Sequence, residues 1–189
     1  MVFLLANGTR VLLRPIRPGD RDMLQRGMRL LSPLARRHRF FTALDELNDR
    51  MATYLTDIDY ASHFAWVAVD VDHPERPIVA VARYIRLPDD PTTAEIAFVV
   101  GDDYQRRGLA TVLLDLLAIV ARGHGIQHFY ARMMSDNVAM RHILTKAGGR
   151  LQNDEAGVLR TTIDLPRPTG ALDAEAVLAV AAGVLPRSA

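Results

Sequence analysis

The stretch VVGDDYQRRGLATVLLDLLAIVARGHG, residues 99–125, runs from an apolar strand end through acidic turn residues into two arginines and a glycine, and from there directly into a long apolar helix. The start of a helix leaves backbone N–H groups unpaired and carries the positive end of the macrodipole, so a glycine that admits a ligand there builds a seat for an anion. Arg106 and Arg107 add charge to that seat. It suits a phosphorylated ligand.

The segment TAEIAFVV (93–100) reads as the strand that delivers the chain to this turn. HFAWVAVDV (63–71) and IVAVARYIRL (78–87), rich in β-branched and aromatic residues, read as two earlier strands joined across the proline-bearing break DHPERPI (72–78). Three successive strands predict an antiparallel meander. Beyond the helix, GIQHFYARMM (125–134) reads as a strand, and strand, helix and strand in that order form a βαβ unit whose two strands lie parallel. A helix over 137–149, stopped by Gly148 and Gly149, and a last strand over 158–165 follow.

Upstream, TRVLLRPI (9–16) is predicted as the first strand, with Asn7-Gly8 as the turn before it. A helix follows from Asp20, with Met23, Leu24, Met28 and Leu31 at helical spacing. Ser32-Pro33 opens a second helix as cap and first residue, and ALDELNDRMATYLTDI (43–58) makes a third, capped by Asp45 and striped by Leu47, Met51, Tyr54, Leu55 and Ile58. In the helix after Gly108, Thr111, Asp115, Ala118 and Arg122 form one narrow stripe and apolar residues fill the rest, as expected of a nearly buried helix. ALDAEAVLAVAAGVL (171–185) is a tail helix beyond a proline-rich link, to be packed on the body or on a second subunit.

A chain of 189 residues suffices for one domain with a real core. With 23 basic and 22 acidic side chains its net charge of +1 gives no global field toward nucleic acid or an anionic membrane. The absence of cysteine removes disulfides, thiolate metal sites and cysteine nucleophiles. The six histidines lack metal-ligand spacing, so no metal is expected, and RRHR (36–39) reads as a solvated helix face. MVFLLANGTR is too short in its apolar run for a signal peptide, and the chain is read as cytoplasmic.

Gln105 to Ala110 match Gln/Arg-x-x-Gly-x-Gly/Ala, and Asn137 with Lys146-Ala147-Gly148 resembles a second element of the same family, the GNAT N-acetyltransferases. The order of elements over 9–165 is similar as well. The segments GTRVLLRPIRPGD, LSPLARRHRFF, DIDY and AEIAFVVGDDYQRRGLA resemble the acetyltransferase domain of bacterial Pat-type protein lysine acetyltransferases. The resemblance implies an α/β fold with a mixed, mostly antiparallel sheet, helices on both faces, and a cofactor cleft where the family's fourth and fifth strands splay. It also implies a catalytic unit over 1–166 with a tail at 167–189. Control by a fused cyclic-nucleotide-binding domain is not carried over.

Acetyl-CoA is the cosubstrate so implied, and the acceptor is a protein such as an acyl-CoA synthetase, or a small amine; the protein is expected as monomer or homodimer. An alkyl ammonium near pKa ~10.4 must lose a proton before it attacks a thioester. Glu95 is the candidate base, with apolar neighbours Ala94, Ile96, Ala97 and Phe98 that favour the protonated carboxyl, or else an ion-pair partner of Arg83 or Arg86 or a residue of an exposed strand face. Phe98, Val99 and Val100 would meet the pantetheine, and Gln105, Arg106, Arg107, Gly108, Leu109, Ala110 and Thr111 the pyrophosphate. Asn137 would bind the cofactor or cap its helix, and Arg141 could reach a phosphate. The family's acidic tyrosine position holds Leu144. Three activities stay open: a protein lysine acetyltransferase working by direct attack in a ternary complex, a small-amine acetyltransferase, and a non-catalytic acyl-CoA sensor.

Overall fold

Eight strands build one sheet in the order β1-β2-β3-β4-β5-β6-β8-β7: β1 (Val2–Leu4), β2 (Arg10–Pro15), β3 (His63–Asp70), β4 (Ala80–Arg86), β5 (Thr93–Val100), β6 (His128–Met134), β7 (Gln152–Glu155) and β8 (Val158–Asp164). Every neighbouring pair is antiparallel except β5 and β6, which are parallel, as the βαβ reading requires. The computed structural model describes residues 1–73, 76–168 and 172–183. Parts of the expected 72–78 hairpin break, the proline-rich link and the ends of the tail helix lie outside them.

Alternation along the strands sorts the apolar side chains onto two faces. One face carries Phe64, Trp66, Tyr84 and Phe129 against Leu113, Leu116 and Leu117 of α4 (Leu109–Gly123). The other carries Ala65, Val67 and Val81 against Leu24 and Met28 of α1 (Arg21–Leu30) and Ala52 and Leu55 of α3 (Asp49–Thr56). Between α1 and α3, Ser32 caps α2 (Pro33–Phe40), its hydroxyl accepting from the Ala35 amide at 3.2 Å. This is a mixed α/β fold with helices on both faces.

Several local readings are corrected. β1 has no counterpart in the sequence reading, and β7, which the resembling element order implies, was assigned no residues there. The third helix starts at Asp49 under an Asn48 cap that accepts from the Met51 amide at 2.9 Å, whereas Asp45 lies outside it, paired with Arg36 at 3.5 Å. Leu47 stands just before that cap and is buried in one cluster with Ala52, as in a hydrophobic staple that fixes the helix entry. Tyr54, assigned to the apolar stripe, is exposed.

On α4 the stripe Thr111, Asp115, Ala118 and Arg122 is exposed only at its two ends; Asp115 and Ala118 are buried. Sheet packs on one side of α4, and α6 (Ala174–Ala182) packs along it and reaches β2. The tail helix therefore covers its own chain's body, with Val177 fully buried. Leu117→Ala, which removes a fully buried side chain from between α4 and the sheet, is expected to lower stability by about 2–5 kcal/mol in urea unfolding; a loss below about 1 kcal/mol would place Leu117 outside the load of the core.

Candidate active site

β5 holds β4 along Ala94–Val100, and β6 holds β8 along its whole length. The two strands hold each other only at Thr93, Ala94 and Glu95, opposite His128, Phe129 and Tyr130. Past Glu95 they part. A cleft of about 760 Å³ occupies the gap and runs from Glu95 along Phe98, Val99 and Val100 to the N-terminus of α4.

Glu95 is exposed and lines this cleft, on the sheet face that carries α1 to α3. Its apolar sequence neighbours therefore do not enclose it. Neither expected ion pair is present: Arg83 is buried and donates to the Leu55 carbonyl (3.3 Å) and to Nε2 of His63 (2.8 Å), while Arg86 donates to the carbonyls of Pro91 and His124.

At the other end of the cleft, a 3-10 turn (Asp102–Tyr104) leads into Arg106 at φ +58° and Gly108 at φ +84°. A Cβ built on Gly108 would meet nothing within 4 Å. Its left-handed backbone favours glycine, and the space above it is open. No side chain caps α4, whose first bonds run from the Thr111 and Val112 amides to the Gly108 carbonyl. Gln105, Arg106, Gly108, Leu109, Ala110 and Thr111 all line the cleft. Gln105 also donates to the Val100 carbonyl at 3.1 Å, which ties the turn to the strand end.

Two expected residues stand elsewhere. Arg107 is outside the cleft lining and stacks on Tyr104 at 5.6 Å; Arg141 is also outside it and donates to the Ser135 carbonyl at 3.2 Å. Asn137 lines the cleft and caps α5 (Val138–Lys146), accepting from the Met140 amide at 3.1 Å. Leu144 is fully buried.

The helix opened by Ser32-Pro33 is where the sequence places it, but its position as the roof of the gap was not legible. Ser32, at the start of α2, donates to Asp102 through its amide (2.9 Å) and hydroxyl (2.7 Å), just beyond β5. At the other end Arg37 donates to Asp136 (2.7 Å) and His38 pairs with it (3.0 Å), just beyond β6. Leu34, His38, Arg39 and Phe41 consequently line the cleft, and RRHR is largely spent on contacts rather than on solvent. Arg132 of β6 lies over the Phe41 ring at 5.7 Å and is paired with Asp154 and Glu155. Only the two acidic loop residues hinted at these ties.

These features define an acyltransferase of the GNAT class. The GNAT acetyltransferase domain model matches residues 10–150, and the chain belongs to this family. It is 37% identical to the acetyltransferase Pat of Mycolicibacterium smegmatis over 154 residues, which is 82% of this chain and 45% of that protein. It is 34% identical to the acetyltransferase PA5475 of Pseudomonas aeruginosa, over 79% of this chain and 80% of the relative. The GNAT domain of S. lividans PAT superposes with a TM-score of 0.80 at 28% identity, covering 87% of this chain and 96% of that domain. A cAMP-binding acyltransferase from Mycobacterium smegmatis gives a TM-score of 0.69 at 31% identity, covering 96% of this chain and 52% of the other. The chain thus spans about half the length of some of its relatives. No helix among the described residues is long and apolar enough to cross a membrane, and no group of metal-binding side chains occurs among them.

Beneath the site, burial and the nearby Arg83 guanidinium push the His63 imidazole down from 6.5 to about 4. As pH falls, the unfolded chain takes up this proton before the folded one does, so the contribution of His63 is complete above about 6.5 and lost toward about 4. Urea unfolding between pH 7 and 4.5 is expected to lose stability more steeply in the wild type than in His63→Gln, which keeps an acceptor for Arg83 and does not titrate. Parallel curves would remove His63 as a cause.

Proposed function

We propose that this chain transfers the acetyl group of acetyl-CoA to the ε-amine of a protein lysine by direct attack in a ternary complex. One observation carries the reading: an exposed carboxylate stands where two strands part, and the opened cleft leads from it to an uncapped helix start flanked by arginine. Residues 1–166 would be the catalytic unit, with the tail as its brace.

In this mechanism Glu95, directly or through water, takes a proton from the lysine ammonium. The freed lone pair attacks the thioester carbonyl, the C–S bond breaks, and coenzyme A leaves as thiolate. Leu144 cannot protonate it, so water does. Strand amides of β5 beyond Glu95 would polarise the carbonyl, and amides from Gln105 to Ala110 with Arg106 would hold the pyrophosphate. The preference for protein lysine over a small amine rests on the likeness to the two Pat proteins. A non-catalytic sensor would be favoured by a Glu95 turned into the core; Glu95 lines the cleft, which supports the enzyme reading, and turnover against mere binding separates the two.

Thiol release from acetyl-CoA, with an acyl-CoA synthetase and a panel of small amines as acceptors, tests this. Glu95→Gln is expected to lower synthetase-dependent release by about 10²–10⁴-fold with CoA affinity unchanged. Unchanged turnover would remove Glu95 as the base, and release with small amines alone would replace the lysine reading. Gly108→Glu places an anionic side chain in the open space above α4; it is expected to abolish CoA binding in calorimetry while the circular dichroism stays native, and retained binding would move the pyrophosphate elsewhere.

A further inference from the structure

Two arginines that line the cleft have no hydrogen-bond or ion-pair partner among the described residues, and they stand at its opposite ends. Arg106 belongs to the phosphate seat. Arg39, on the last turn of α2, belongs to the Glu95 end. The other arginines near Arg39 are committed: Arg36 to Asp45, Arg37 to Asp136, Arg132 to Asp154 and Glu155.

Arg39 is half-buried, with its guanidinium 4.8 Å from the centre of the Phe40 ring and beside the cleft it lines. It forms a wall between the cleft and a small cavity of about 40 Å³ under β5, and both spaces are bordered by Arg39 and Val99. Arg83 borders the same cavity, with its own N–H groups spent on Leu55 and His63 and no carboxylate against it. Desolvation holds Arg39 down to about 10 and Arg83 to about 9, each guanidinium lowered first by burial; Glu95 is the one carboxylate that acts on Arg39. Two positive charges therefore stand behind a single negative one.

A guanidinium that lines the cleft with unused donors gains a charge-assisted hydrogen bond from an anionic group that enters there. Once Glu95 is occupied with the incoming ammonium, the positive excess at Arg39 is unopposed. We infer that Arg39 forms an anion subsite beside the acceptor amine, selecting a lysine that has an aspartate or glutamate close to it in the target chain. Arg39 would meet that carboxylate in the cleft from the α2 side while Glu95 meets the amine from β5. This rests on the lysine acetyltransferase reading and names its substrate class.

The test is acetyl transfer to a set of peptides, each with one lysine, in which every position from two before to two after the lysine is either Asp or Asn. In the wild type at least one Asp peptide is expected to show about a tenfold lower KM than its Asn counterpart, the size of one charge-assisted hydrogen bond. Arg39→Gln is expected to erase that difference while still turning over the Asn peptides, and Arg39→Lys to keep part of it. No Asp preference in the wild type overturns the subsite, a result that needs no variant to fold. An equal fall of kcat on Asp and Asn peptides in Arg39→Gln also overturns it, and makes Arg39 a positioning residue for Glu95. Turnover of no peptide by a protein that binds CoA defeats the lysine reading itself, and the subsite with it.

Discussion

The parting of β5 from β6 after Glu95 is the constraint on which the rest of the site depends. Each strand is fully engaged on its outer edge, β5 with β4 and β6 with β8, while their shared edge closes over three residues only. Backbone groups left unpaired inside a protein need other partners. The edge of β5 past Glu95 therefore demands something in the gap, and the turn that follows, strapped to the strand by Gln105, sets the helix start at the end of the same gap. A peptide edge at one end and a helix start at the other make the cleft a fitting for an elongated ligand with an anionic end.

Holding such a gap open needs a structure across it, and α2 supplies one. Its first residues are bound to the turn after β5 and its last to the loop after β6, so one short helix spans both lips. The same helix carries Arg39 and leads into Phe41 at φ +61°. Its position therefore fixes the width of the gap and the charge beside Glu95 together.

What was legible in the sequence was local. The strand, turn and helix over 93–123 announce themselves through composition, the glycine at a helix start and the length of the apolar run, and the meander before them follows from strand-rich segments with short breaks. β7 was not legible because Gln152–Glu155 is polar throughout and is a strand only through its pairing with β8. The start of α3 was misplaced because Asp45 and Asn48 are both sound caps locally; the burial of Leu47 beside Ala52 decides between them. The exposed stripe of α4 was half wrong because α6, distant in sequence, packs along that helix. In the site, Glu95 and the Gln105–Thr111 turn could be found from residue type and context, whereas α2 enters through contacts that span 70 to 99 residues and leave no pattern in either partner alone.

The exposed apolar residues at the cleft follow from the same arrangement. Leu34 on α2, Phe41 just past it and Val138 at the start of α5 are 54%, 39% and 70% exposed, and all three line the cleft. Isolated exposed apolar side chains need no explanation, but three on or directly after the two helices that flank one gap have a common cause. Neither helix can turn them inward: α2 is held at both ends by Ser32, Arg37 and His38, and α5 is fixed by its Asn137 cap and by fully buried Leu144. The helices are anchored through their polar ends and inner faces, so the residues left facing the gap are those the fold itself does not use. Their apolar surface is available to whatever enters between α2 and α5, with Arg132 stacked on Phe41 marking the β6 side of that entrance.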